Sequence, residues 1–340
     1  LEKIYMANFF SRHSHIKVFN FTRSISELIA TAIVFVFCLS GCIPLGKMSS
    51  KTRKGFTITK DANTRNKKVI LTTFTILADM ARNVAGEKSL IESLVKPGSE
   101  IHGYEPTPSD IVRAKSADLI LDNGLGLERW VEKFYSNLKH VPHITLSKGI
   151  MPINIRDKTY GGQTNPHAWM SPKLALKYVE NIRDALISLD PDNTETYTAN
   201  ALAYGEKIKQ IDQKLRRTVE KIPVNRRFIV TCEGAFSYLA RDYGLKEVYL
   251  WAVNSEKLAT PQQLKKVIRI VQDNQIPAIF CESTVSADVQ EQVAKESNTK
   301  FGGVFYVDSL TGVNGAAPTY YRLIDYNINA FSNGFKKSKN

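Results

Sequence analysis

The stretch that most constrains this chain runs from Asp190-Pro191 to Lys221. It has few helix breakers, is rich in Glu, Lys, Gln and Leu, and repeats Ile208, Ile211, Leu215 and Val219 at the spacing of one helical face. As a single helix it would span roughly 45 Å at 1.5 Å per residue, enough to run along the outside of two lobes. Ile222-Pro223 ends it. A chain of 340 residues suggests two compact bodies rather than one core, so the helix is read as the link between them.

On both sides of this helix, strand and helix signals alternate. The first half predicts strands at 69–74, 89–95, 118–122 and 141–146, with helices at 76–84, 127–138 and 174–189. The second half predicts strands at 227–231, 248–251, 278–281 and 303–307, with helices at 235–243, 260–274, 289–296 and a closing helix at 318–331. Thr107-Pro-Ser-Asp110 and Thr260-Pro-Gln-Gln263 both have the form of a capping box, with proline at the first helical position. Alternation of this kind implies parallel sheets covered by helices. The expected fold is α/β: two lobes, each a parallel sheet flanked by helices, joined by one long rigid backbone helix. The expected boundaries are 68–189 for the first lobe, 190–221 for the link and 222–335 for the second lobe.

The N-terminal region reads differently. Residues 6–23 are basic and lack acids, residues 28–39 are strongly apolar, and Leu39-Ser40-Gly41-Cys42 follows. The apolar run is too short to span a bilayer and has the form of a signal-peptide core, assigning 1–41 to a signal region. Leu-Ser-Gly-Cys resembles the lipobox of bacterial lipoproteins, which implies lipid on Cys42; ordinary cleavage nearby is the alternative. Residues 42–67 then form a polar, basic, flexible tether. The net charge of +13 comes without any aromatic-plus-basic recognition motif, so it is read as solvated surface and no nucleic-acid partner is expected. Cys38 leaves with the signal and Cys42 carries lipid, which leaves Cys232 and Cys281. A disulfide between them is possible, and two buried thiols are the reading adopted.

In open parallel sheets, binding residues cluster just past the carboxyl ends of strands. Four polar residues pass that filter. His102 follows the second strand, and His167 sits in the loop Gly161-Gly-Gln-Thr-Asn-Pro-His-Ala-Trp-Met-Ser-Pro172, where Trp169 can wall one side of its ring. Ser171-Pro172 reads as the N-cap and first residue of the next helix. Glu233 ends Ile-Val-Thr-Cys-Glu233, and Asp308 ends Val-Phe-Tyr-Val-Asp308. Two fall in each half, so an ion between the lobes could draw ligands from both. Glu105 and Glu282 are reserve carboxylates, and His140 and His143 are expected to be structural or exposed.

With these residues in place, the body of the chain resembles the metal-binding solute receptors of bacterial ABC importers. The matching motifs are His102-Gly-Tyr-Glu-Pro-Thr-Pro-Ser-Asp110, Asn165-Pro-His-Ala-Trp169, Glu233-Gly-Ala-Phe236 and the strand ending at Asp308. The resemblance implies that His102, His167, Glu233 and Asp308 are the protein ligands. It implies an extracytoplasmic, monomeric receptor in the periplasm or at the cell surface, working with a membrane permease and its ATPase. Zinc receptors of this type place histidine at the third position and often carry a His- and Asp-rich loop; Glu233 and the lack of that loop resemble the manganese/iron branch. Two imidazoles with two carboxylates form an oxygen-rich site suited to Mn²⁺ or Fe²⁺, with Zn²⁺ as the alternative cargo. A metalloenzyme is the rival from another class. It is disfavoured because four protein ligands tend to fill the site and no catalytic motif accompanies them. No adhesive repeat supports a surface adhesin.

Overall fold

The computed structural model describes residues 67–155, 162–253 and 259–336. Cys42 and the signal region lie outside the described residues, as does all of the tether but Lys67. The first lobe is built from β1 (Lys68–Thr72), α1 (Thr75–Ala85), β2 (Ser89–Ser93), α2 (Pro108–Lys115), β3 (Leu119–Asp122), α3 (Val131–Ser136) and β4 (His143–Thr145). Its strands form one parallel sheet in the order β2-β1-β3-β4. Helix α4 (Pro172–Leu189) follows, with Ser171 at its N-cap position and Pro172 opening it. The Ser171 hydroxyl does not cap; it donates to Asp242 Oδ2 of the second lobe at 2.6 Å.

The linking helix is α5 (Thr194–Glu220), 27 residues and so about 40 Å long. Tyr197, Ala201, Tyr204, Ile208, Ile211, Leu215 and Val219 form its buried stripe. That stripe packs on α1 and α4 and, further along, on the second lobe. Among the described residues no helix is long and apolar enough to cross a membrane.

The second lobe comprises β5 (Phe228–Glu233), α6 (Ser237–Tyr243), β6 (Lys246–Trp251), α7 (Pro261–Asp273), β7 (Ala278–Glu282), α8 (Asp288–Glu296), β8 (Lys300–Phe305) and α9 (Tyr320–Gly334). Its strands make two parallel ladders, β5-β6 and β7-β8, with β5 packed beside β7. Gly302 permits the packing within the second ladder. A Cβ there would lie 2.3 Å from the Phe280 ring, which stacks on Phe305 with centroids 4.2 Å apart. Both predicted capping boxes form, at Thr107/Asp110 and Thr260/Gln263.

Three expectations need correction. The helix predicted at 127–138 is shortened to Val131–Ser136, because the Glu128 carboxylate is used to hold the preceding turn, accepting from Asn123 N at 2.8 Å and Gly124 N at 3.2 Å. Strand β8 stops at Phe305, so Asp308 sits on the loop beyond it. Cys232 and Cys281 are not free thiols but a disulfide, 49 residues apart in sequence. The neighbouring of β5 and β7 brings their Cα atoms to 4.8 Å, within reach of a bridge, and both side chains face the same apolar cluster.

The largest core cluster is continuous through both lobes, joining Ile70, Trp169, Ile208, Leu215, Phe236 and Phe305. Buried hydrogen bonds cross between the lobes as well. Trp169 Nε1 donates to Val307 O at 3.0 Å, Tyr320 Oη to Trp169 O at 2.8 Å, and Leu310 N to Thr75 Oγ1 at 2.9 Å. The Asp79 carboxylate of α1 accepts from Tyr320 N at 2.9 Å, placing a carboxylate at the positive end of α9. Any wide opening of the lobes would break all of these, so the architecture is stiff.

Candidate metal centre

His102, His167, Glu233 and Asp308 converge, with one ligand-type atom from each lying within 4.8 Å of the others. His102 Nε2 and His167 Nε2 are 3.1 Å apart. Glu233 Oε1 lies 3.4 Å from the first and 3.5 Å from the second, and Asp308 Oδ1 lies 3.7 and 3.5 Å from them. Donors about 2.1 Å from a common ion in tetrahedral array are roughly 3.4 Å apart, so these spacings fit a shared cation. The side chains of His167, Glu233 and Asp308 are fully buried, and that of His102 is 7% exposed.

Each residue is aimed by its neighbours. The Glu100 carboxylate accepts from the N–H groups of Ile101 and His102 at 2.9 and 2.8 Å, folding the loop after β2. Asn165 Oδ1 accepts from His167 N at 3.0 Å and lies 2.9 Å from Nδ1. An amide oxygen can only accept, so Nδ1 carries the proton and Nε2 presents a lone pair to the centre. Trp169 packs on the same ring, centroids 5.1 Å apart, as its place in the loop suggested. Glu233 closes β5 and its N–H donates to Glu282 Oε2 at 3.1 Å. Asp308 is held on both flanks by the first lobe, since Val307 O accepts from Trp169 and Ser309 Oγ accepts from Gly98 N at 2.8 Å.

The charges are arranged for a cation. Burial alone would raise Asp308, but its hydrogen bonds and charge interactions with both histidines outweigh this and hold it well below the usual carboxylate range. His102 is disfavoured as a cation by burial, yet Asp308 and then Glu100 shift it upward overall. Burial dominates at His167 and shifts it downward, favouring the neutral ring. Two carboxylates facing two imidazoles in a dry cleft match a dication, which would neutralise the site.

Comparison with known proteins bears on this constellation. Residues 70–334 match the family described as zinc-uptake complex component A, periplasmic. The chain belongs to this family. It is 53% identical over 274 residues to the iron-binding protein YfeA of Yersinia pestis, covering 81% of this chain and 88% of the relative. It is 31% identical over 322 residues to the manganese ABC transporter substrate-binding lipoprotein PsaA of Streptococcus pneumoniae, covering 93% and 100%. A Mn-bound periplasmic metal-binding protein from Candidatus Liberibacter asiaticus superposes with a TM-score of 0.74 at 41% identity, covering 78% of this chain and 99% of that one.

Within this family member the reserve carboxylates separate. Glu105 is exposed and outside the constellation, whereas Glu282 is fully buried behind Glu233. Burial, reinforced by the negative charge of Asp308, pushes Glu282 well above the carboxylate range. His140 and His143 are exposed, and His143 stacks on Tyr135 at 4.0 Å.

Sequence reasoning used Asn165 only as part of a motif and missed its role. Its Nδ2 donates to Gly234 O at 2.6 Å, next to Glu233, while its Oδ1 serves His167. Tyr238 Oη donates to Asn165 O at 2.8 Å. One side chain therefore ties a histidine of the first lobe to the strand end carrying a carboxylate of the second. An asparagine two residues before a loop histidine was the available signal. Asn123 adds a second support, donating to Pro166 O at 3.1 Å while accepting from Tyr178 Oη at 2.7 Å.

Proposed function

We propose that this chain is the extracytoplasmic receptor of an ABC importer that captures Mn²⁺ or Fe²⁺ through His102, His167, Glu233 and Asp308. The observation that carries the reading is the convergence of two imidazoles and two buried carboxylates at ligand spacing from both lobes. Residues 68–189 and 222–335 are the metal-binding lobes, and 190–221 links them. The ion is cargo rather than a catalyst: four protein donors fill its surroundings, and carboxylates able to bind through both oxygens favour a hard dication. The receptor acts as a monomer, delivers the ion to a membrane permease with its ATPase, and is held at the membrane through lipid on Cys42.

The buried links between the lobes argue against a wide hinge. Because the His102 side chain, at 7% exposure, is the one of the four that solvent reaches at all, its loop is the path by which the ion enters and leaves. Affinity at a fixed site generally rises from manganese through iron to zinc, so Zn²⁺ binds in vitro as well, and preference for Mn²⁺ lies in coordination number and release.

Metal analysis of protein purified anaerobically under chelator control, followed by competition among Mn²⁺, Fe²⁺ and Zn²⁺, tests the assignment. Glu233→His should move the preference towards Zn²⁺. An unchanged preference would show that Glu233 does not discriminate.

A further inference from the structure

Chain order divides the four ligands two and two between the lobes, but the bonds around Asp308 divide them differently. Strand β8 ends at Phe305, and the backbone beyond it turns to the first lobe for its partners. Val307 O accepts from Trp169 Nε1 at 3.0 Å. Gly98 N donates to Ser309 Oγ at 2.8 Å and to Leu310 O at 3.0 Å, and Leu310 N donates to Thr75 Oγ1 at 2.9 Å. From the second lobe, Thr284 Oγ1 reaches Asp308 Oδ2 at the longer distance of 3.4 Å. The segment after Asp308 is then closed at a neck, where Thr311 N donates to Ala317 O at 2.9 Å and Ala317 N to Thr311 Oγ1 at 3.2 Å. Past that neck, Tyr320 N donates to Asp79 Oδ2 at 2.9 Å. Thr75 and Asp79 stand one turn apart on α1, so a single helix face holds both sides of the neck. Thr75, Asp79, Leu310 and Tyr320 are all buried, so water does not replace a bond lost among them.

We propose that Thr75 is a positioning residue of the metal centre, fixing Asp308 from the first lobe through the Leu310 amide, with Asp79 holding the far side of the same loop. The proposal rests on the metal-receptor reading above. Leu310 lies two residues beyond Asp308, so a displaced Leu310 amide carries the ligand with it. Helix α1 begins just past β1, an inner strand of the first sheet, which gives Thr75 a rigid base. His102 and His167 already belong to the first lobe, so three of the four ligands answer to that lobe. Glu233 is the one carried by a second-lobe strand, at the end of β5. A shift of α1 therefore moves Asp308 together with the two histidines and leaves Glu233 with β5. That gives a stiff receptor a way to open its site without a wide hinge.

The test compares Mn²⁺ Kd of the full chain for wild type, for Thr75→Val, which keeps the shape but offers Leu310 N–H no acceptor, and for Thr75→Ser, which keeps the oxygen. All are measured well below each protein's melting midpoint. Thr75→Val should weaken binding on the order of tenfold, the low end of what loss of outer support for a ligand does. Thr75→Ser should recover most of that loss. In an Asp308→Ala background Thr75→Val should have no further effect beyond about twofold, because the ligand it positions is already gone. In a Glu233→Ala background its effect should add in full, since that ligand is held elsewhere. Amide exchange of wild type gives a readout that needs no variant and decides the matter if Thr75→Val does not fold. By reciprocity, Mn²⁺ should slow local exchange at Leu310 and Tyr320 more than at Val267 and Val271, which are buried in a separate cluster. Equal Kd for wild type and Thr75→Val overturns the proposal, and so does uniform slowing at all four amides. An equal loss in the Asp308→Ala background overturns it too, since that marks general destabilisation. These outcomes defeat this inference alone, whereas a wild type that binds none of Mn²⁺, Fe²⁺ and Zn²⁺ defeats it together with the receptor reading.

Discussion

Asn165→Ala is the most informative single substitution, because that side chain serves both lobes at once. It removes the acceptor for His167 N and Nδ1, at 3.0 and 2.9 Å, and the donor to Gly234 O at 2.6 Å. Each buried polar group left unpaired costs about 1–3 kcal/mol. With partial relaxation, the three together should cost about 3–5 kcal/mol, a fall of roughly 10 °C in melting midpoint for a body of this size. Loss of the Nδ1 partner frees the His167 tautomer and should weaken Mn²⁺ binding on the order of 10–100-fold. Asn165→Asp separates the two roles. Its carboxylate still accepts from His167 but sets an oxygen against the Gly234 carbonyl, so stability should drop while affinity falls less than in the alanine variant. Isothermal titration with Mn²⁺ and thermal melts of the apo proteins read both quantities. Mn²⁺ affinity within twofold of wild type for Asn165→Ala would refute the argument that this amide positions the centre.

Two further outcomes follow from residues outside the four candidate ligands. Burial, helped by the charge of Asp122, pushes Glu128 from 4.5 up to about 7. Its folded value is raised, so its contribution to stability is complete below pH ~4.5 and is lost as the pH rises through ~7, by about 3 kcal/mol in all. Denaturant melts across that window should show this decline in wild type and a flatter profile in Glu128→Gln; parallel profiles would count against the assignment. Gly302→Ala forces a Cβ against the Phe280 ring at 2.3 Å, and should destabilise the second lobe by about 1–3 kcal/mol. Since the added Cβ meets Phe280 rather than a candidate ligand, Mn²⁺ affinity below the melting transition should stay near wild type, and a large affinity loss would contradict that separation.

Much of the fold was legible in the sequence because it is written in local spacing. The α5 stripe repeats every three to four residues, and both capping boxes depend on residues three apart, so no distant contact was needed to foresee them. The candidate ligands were legible for a related reason: the loops past strand carboxyl ends, where a parallel sheet presents its polar residues, are marked by sequence breaks. Where local preference met a distant demand, prediction failed. The sequence from Leu127 onward favours helix, yet Glu128 is drawn into holding Asn123, Gly124 and Thr73, and the helix begins later.

What only the tertiary structure decided was adjacency. No local pattern states that β5 lies beside β7, and that single neighbour relation turns two expected thiols into a bridge and puts Glu282 behind Glu233. Nor does any local pattern state that Asn165 reaches Gly234 across 69 residues. Periodicity and capping are properties of a few consecutive residues and can be read directly. Strand order and contacts between lobes arise when whole elements compete to bury their apolar faces, and they exist only once the chain has packed.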